Sequence, residues 1–193
     1  MGIISRFPAG ATKPYIEEIY NSDGQLIDVK MYGYETIRDS AFANCPNLAL
    51  TSLPSGITSI GNGAFADCHN LALTSLPSGI TSIGDGVFYY CSSLALTSLP
   101  SGITSIGYGT FESCSSLALT TIPSGIISIG GGAFANCTNL VSLTFEGTPE
   151  SIADSVFVDC NNLTTINVPW ADGAVANAPW GATNATIHYG YTG

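Results

Sequence analysis

The chain has 193 residues, 45% of them hydrophobic, enough for one domain with a buried core. It carries four cations against fourteen acids, for a net charge of −10. Nucleic-acid phosphates and anionic membrane surfaces both call for Lys and Arg, and no apolar run approaches the roughly 18 residues that a spanning helix needs, so the balance argues against nucleic-acid binding, membrane attraction and membrane insertion alike.

In chain order, residues 1–14, "MGIISRFPAGATKP", lack the long apolar run and cleavage pattern of a secretory signal. The reading is either a complete chain made inside the cell or one from which a signal was removed, with the first preferred. The segment fits no repeat and contains two prolines, so a flexible arm that orders on binding is expected. Residues 15–34, "YIEEIYNSDGQLIDVKMYGY", read as a β-hairpin about Asp23-Gly24. Glu17, Glu18, Asp23, Asp28 and Lys30 suit a solvated cap, and residues 15–37 are assigned to that cap and a first half-repeat.

The phrase "LALTSLPSGITSIG" then occurs at 48–61, 71–84 and 94–107, with a variant at 117–130. Cys45, Cys68, Cys91, Cys114, Cys137 and Cys160 are spaced by 23, as are Phe42, Phe65, Phe88, Phe111, Phe134 and Phe157, and the leucines from Leu48 to Leu163. A fixed period in this range with Leu at set offsets signals a leucine-rich-repeat solenoid over residues 38–167. In one unit, Leu94, Leu96 and Leu99 supply a short buried strand, and Pro100 and Gly102 turn the chain. Ile103 and Ile106 return to the core, and Thr110 and Phe111 enter a helical turn ending at Cys114. Stacked units close a continuous core in which each column packs on its own copies, with strands about 4.8 Å apart.

Six cysteines in an extracellular chain would suggest three disulfides. Here they share one column and point the same way, which suits reduced, buried packing residues better than the facing geometry of a disulfide. There is no Cys-x-x-Cys pair, and His69 and His188 lie far apart, so neither zinc nor any other cofactor is expected. Residues 168–193 read as a degenerate last repeat and cap. Trp180 falls 23 after Phe157, Val175 falls 23 after Ile152, and "ATIHYGY" closes the end as a strand. Trp170 and Trp180 are read as cap packing rather than ligand contacts.

The pattern C-x-x-L…P-S-G-I-x-x-I-G-x-x-x-F-x-x-C, over roughly residues 34–168, resembles the BspA-like, treponemal-type leucine-rich repeats. The resemblance implies a β-dominated α/β solenoid, right-handed, with a short parallel sheet on one face and helical turns on the other. It also implies microbial surface proteins that contact host proteins or other cells, and repeats of this kind look similar to some encoded in bacterial prophages. The units "LALTSLP" depart from the usual L-x-x-I-x-I-P strand, which "LTTINVP" at 163–169 follows.

No catalytic constellation is visible: no nucleophile motif, phosphate loop, metalloprotease motif or calcium loop occurs. His69 stands where other units have Pro46, Ser92, Ser115, Thr138 or Asn161, and reads as an exposed turn residue. Three columns beside the Phe vary between copies: Asn62/Asp85/Tyr108/Gly131; Asn44/Asp67/Tyr90/Ser113/Asn136/Asp159; and Ala43/Ala66/Tyr89/Glu112/Ala135/Val158. They place Tyr89, Tyr90 and Tyr108 on two adjacent rungs with His69 and Glu112 nearby, a candidate binding patch, since exposed Tyr gives stiff contact area at low entropy cost. Drift on a permissive surface is the alternative. The Thr51/Thr74/Thr97/Thr120 row, with Ser52, Ser75, Ser98 and Thr121 beside it, reads as ordinary strand usage ahead of a recognition surface for glycans, water or another sheet.

The expectation is a non-enzymatic module recognising a protein or glycan surface in an adhesion role, at the microbial cell surface or outside the cell. The alternative is a structural part of a phage tail or virion appendage, docked through the arm or stacked end to end as a homo-oligomer; reduced cysteines suit its cytosolic assembly.

Overall fold

The computed structural model describes residues 14–193 and the backbone of Ile3–Ile4. In chain order the strands are β1 (Ile3–Ile4), β2 (Tyr15–Tyr20), β3 (Leu26–Tyr32), β4 (Thr36–Ile37), β5 (Ser59–Ile60), β6 (Ser82–Ile83), β7 (Ser105–Ile106), β8 (Thr121–Ile122), β9 (Ser128–Ile129), β10 (Ser142–Phe145), β11 (Ser151–Ile152), β12 (Thr165–Asn167) and β13 (Thr186–His188).

β2 and β3 form an antiparallel hairpin, closed where Asn21 Oδ1 accepts the amides of Asp23 and Gln25. Val29 and Met31 face inward and are buried. The Ala49 amide donates to the Ile27 carbonyl at 2.9 Å, which lays the hairpin on the first rung. β1 adds antiparallel to β2, Ile3 opposite Ile19. The remainder of the expected arm, up to Lys13, lies outside the described residues.

Beyond the hairpin the chain winds in 23-residue rungs with three sides. On the first side, Ile37, Ile60 and Ile83 pair in parallel through β4, β5 and β6, and Ile106, Ile129 and Ile152 do so through β7, β9 and β11. The residue before each isoleucine, Thr36 in β4 and serine in the others, faces out and the isoleucine in. On the second side β8, β10, β12 and β13 form a parallel sheet. The third side carries the Phe and Cys columns. The Phe65, Phe88, Phe111, Phe134 and Phe157 side chains are fully buried, and successive rings from Phe42 onward stack with centroids 5.4–5.8 Å apart and planes within 18°. Each such ring contributes about 2–3 kcal/mol by leaving water.

Two expectations are corrected. The leucine segment forms no strand in the early rungs: Leu48, Leu50 and Leu53 point inward but Thr51 and Ser52 both point out. Two consecutive outward residues break the two-residue period that a strand requires. One backbone bond per rung remains, as from the Ala72 amide to the Leu50 carbonyl. Where alternation returns, as in Ser142–Leu143–Thr144–Phe145, β10 forms.

The helical turns are also absent, and the described residues contain no helix. On the third side, alternate amides leave their own rung. The Phe88 amide donates to Thr110 and the Tyr90 amide to Glu112, both at 2.9 Å, while the Tyr89 amide closes a tight turn to Gly86 at 3.1 Å. Gly86 and Tyr90 both have φ of 58°. Left-handed residues four apart cannot sit in a right-handed helix, so the side is a stack of turns.

At the far end Trp180 takes the Phe position: the Phe157 amide donates to its carbonyl at 2.9 Å, and its ring is fully buried. Trp170, Trp180 and Phe145 pack as a cluster with centroids 5.3–6.3 Å apart.

Candidate functional site

On the third side each rung presents a left-handed residue just before the cysteine. Asn44, Asp67, Tyr90, Ser113, Asn136 and Asp159 have φ between 57° and 61°. The column varies between copies, but the backbone restricts it. Asn and Asp enter the left-handed region most readily, whereas a bulky side chain there is a genuine outlier. Tyr90 is that outlier.

The Tyr90 ring, 44% exposed, meets the half-buried Tyr89 ring edge-on, with centroids 4.6 Å apart and planes at 63°. The pair is fixed from both sides: the Asp67 amide donates to the Tyr89 carbonyl at 2.8 Å, and the Tyr90 amide donates to Glu112. His69, exposed, donates from Nδ1 to the Tyr90 carbonyl at 2.9 Å, which leaves Nε2 to solvent. Glu112 stands directly after Tyr89 in its column, its carboxylate lodged over Gly109 and Gly132. Partial burial, followed by the Glu112 charge, raises the Tyr89 phenol above its ordinary value. Tyr89, Tyr90, His69 and Glu112 are thus brought together, and Asp67, which the sequence reading left out of the patch, joins them from the rung before.

Tyr108 stands apart. Its ring, 66% exposed, lies against Gly131 on the following rung. Its column is also less free than the sequence suggested. Asp39, Asn62 and Asp85 each use Oδ1 to accept the backbone amide 23 residues on, all at 2.8 Å, and Tyr108 is the last residue so held. The 23-residue spacing of Asp39, Asn62 and Asp85 carries that signal. Among the described residues no group of three or more His, Cys, Asp or Glu is placed to hold a metal ion. An open groove of about 670 Å³ runs over the first side past Arg38, Ser59 and Ser82, away from the tyrosines.

The cysteine column is built from inside. Five thiols, from Cys68 to Cys160, are buried and donate to a phenylalanine carbonyl of the preceding rung at 2.9–3.0 Å. Cys45, with no rung before it, is half-buried.

Six copies of the BspA type leucine rich repeat region match residues 35–164. The chain belongs to the BspA-type leucine-rich-repeat family. Among solved structures this BspA-type chain is similar to the leucine-rich repeat protein TpLRR of T. pallidum, 27% identical over 85% of each chain with a TM-score of 0.61. It is similar to the pneumococcal vaccine antigen PcpA, 19% identical over 81% of this chain and 38% of that one, TM-score 0.52, a likeness of fold. A leucine-rich repeat protein of Bacteroides ovatus ATCC 8483 is 21% identical over 80% of this chain and 52% of that one, with a TM-score of 0.45. A search of the curated proteins finds no match. BspA-type and other leucine-rich-repeat proteins generally mediate protein binding and are generally non-enzymatic. No helix among the described residues is long and apolar enough to cross a membrane.

Proposed function

We propose that this chain is a non-enzymatic recognition module whose stacked rungs hold a rigid surface against a partner, and that the surface is centred on Tyr89 and Tyr90, with His69, Glu112 and the outlying Tyr108 around them. One observation carries the reading: a tyrosine occupies a left-handed backbone position that other rungs fill with Asn, Asp or Ser. That placement costs about 1–2 kcal/mol, and strain of this kind clusters at ligand sites. A partly exposed aromatic pair on a rigid scaffold also has the character of an interface anchor.

The test is affinity capture against cell lysates and a glycan panel, using wild type and a Tyr89→Ala/Tyr90→Asn/Tyr108→Ala variant. A specific partner held by the wild type and lost by the variant is the expected result. Identical capture by both proteins overturns the reading.

A further inference from the structure

Resting on that recognition surface, we propose that its partner is a basic protein segment, with an arginine side chain stacked on the Tyr89–Tyr90 pair and paired to the Glu112 carboxylate. The argument starts from a grid of adjacent columns. Ala66, Tyr89 and Glu112 follow one another up the stack, and Asp67, Tyr90 and Ser113 stand beside them. The aromatic pair therefore occupies one rung, with a carboxylate on the rung before it and another on the rung after. In other rungs the same two positions hold small or aliphatic and short polar residues, as in Ala43-Asn44 and Ala135-Asn136. Within these two columns, aromatic rings and flanking acids come together on these rungs alone.

Among the described residues neither Asp67 nor Glu112 forms an ion pair. Arg38 is the last cation of the chain, and residues 39–193 carry nine acids. Glu112 stands three rungs beyond the rung of Arg38, about 14 Å at the usual strand spacing, more than the Debye length of about 8 Å at physiological salt. Its carboxylate is half-buried and held in the room left by Gly109 and Gly132, 3.4 Å from where a Cβ on either would lie. A fixed acid beside a ring pair suits a planar cation. A guanidinium stacks on an aromatic face while its N–H fork reaches a carboxylate, whereas an ammonium is a hydrated point charge. A neutral glycan brings hydroxyl donors to these acids but no charge to balance them.

The test is fluorescence anisotropy with labelled octa-arginine, octa-lysine and octa-glutamate at physiological salt. Three variants are compared with wild type: Tyr89→Ala/Tyr90→Asn, which leaves the charge unchanged; Glu112→Gln; and Asp154→Asn, which removes one exposed acid two rungs beyond Glu112. The expected order on wild type is octa-arginine over octa-lysine, with octa-glutamate not bound. The tyrosine variant is expected to bind octa-arginine about tenfold more weakly, at about three- to fivefold per ring. Glu112→Gln is expected to weaken it about threefold or more, while Asp154→Asn stays within about twofold, as for a screened, distant charge. Equal effects of Glu112→Gln and Asp154→Asn, or undiminished binding by the tyrosine variant, would show diffuse attraction to an acidic surface and overturn the inference. The same tyrosine variant on a glycan panel separates the two readings. A glycan lost with the tyrosines while octa-arginine is unaffected overturns the arginine assignment and leaves the recognition surface standing. No change on either probe overturns both.

Discussion

The thiol of Cys114 donates to the carbonyl oxygen of Phe88, 26 residues earlier, at 3.0 Å. That oxygen already accepts the Cys91 amide, also at 3.0 Å. One carbonyl thus closes the turn of its own rung and ties down the next. The pattern repeats at Cys91–Phe65, Cys137–Phe111 and Cys160–Phe134, and the Cys68 thiol reaches the Phe42 carbonyl in the same way. A buried carbonyl has two lone pairs to satisfy, and a thiol is small, apolar in bulk and still a weak donor. The cysteine column is a set of inter-rung bonds as well as a packing column.

The first prediction contrasts two positions in that column. Cys114→Ala removes a fully buried sulfur and its bond, and is expected to cost about 1–2 kcal/mol. Cys45→Ala is expected to cost less than about 0.5 kcal/mol, because Cys45 is half-buried and its sulfur is a long 3.8 Å from the Ala43 carbonyl. Urea midpoints of the two variants against wild type measure the contrast; equal shifts would remove the bond from the account.

The second prediction concerns alkaline pH. Burial pushes the Cys68 thiol up to about 12 and the Cys160 thiol to about 11, from an ordinary value near 9, and raises Cys91, Cys114 and Cys137 further. The unfolded chain releases these protons near pH 9, while the folded chain holds them. Between those values the folded state binds more protons, so stability is complete below about pH 9 and falls as pH rises toward 11–12, by about 1.4 kcal/mol per pH unit for each thiol. The urea midpoint at pH 10 is therefore expected well below that at pH 8. The loss should be smaller by about one thiol's share in Cys114→Ala, which separates thiols from the tyrosine phenols. A midpoint unchanged from pH 8 to pH 10 would refute the account.

What the sequence made legible follows from stacking. A residue that fits one rung fits the next, so Phe65, Phe88 and Phe111 announced their column by spacing alone. What was hidden depends on backbone angles. Phe111 and Cys114, three apart, read as a helical turn, but Gly109 and Ser113, both left-handed, make it a bonded turn instead. The Asn and Asp of the column Asn44, Asp67, Asn136 and Asp159, two of them four residues after a glycine, hold that information beneath the column's variation. The early leucine segments misled for a related reason: their inward leucines looked like a strand, and the outward Thr–Ser pair that prevents one was the less conspicuous feature. In the candidate patch, spacing puts Tyr89, Tyr90 and Glu112 on adjacent rungs. It could not show Tyr108 leaning onto Gly131, because side-chain direction on a turn has no fixed period.

The third prediction tests the Asp/Asn row. A Cβ on Gly84 would strike Asn62 at Oδ1 and at its backbone nitrogen, 2.7 Å away. Asn62 cannot move freely, since its Oδ1 holds the Asp85 amide at 2.8 Å. Gly84→Ala is expected to cost about 2–3 kcal/mol. Adding Asn62→Ala relieves the side-chain collision but leaves the backbone one, so the double variant should fall well short of wild type while costing less than the sum of the two single changes. Denaturant unfolding of the four proteins in this cycle decides it.

The fourth prediction joins stability to recognition. Tyr90→Asn replaces a bulky residue at φ 58° by the type found at Asn44 and Asn136, where the backbone has the same conformation. Relief of the left-handed penalty is expected to raise stability by about 1 kcal/mol. The loss of the edge-on contact with Tyr89 offsets part of the gain, by about 0.5 kcal/mol for a partly exposed pair. A net gain is expected, read as a higher urea midpoint, together with weaker partner binding. Ser113→Asn supplies the control: the same backbone position one rung on, φ 61°, with no aromatic contact to lose. It should raise the midpoint with binding unaltered. A stabilised Tyr90→Asn that binds less well would mean that strain at this rung is retained for contact. A destabilised Tyr90→Asn would mean that the tyrosine pair holds the turn together, and the functional reading of the strain would fall.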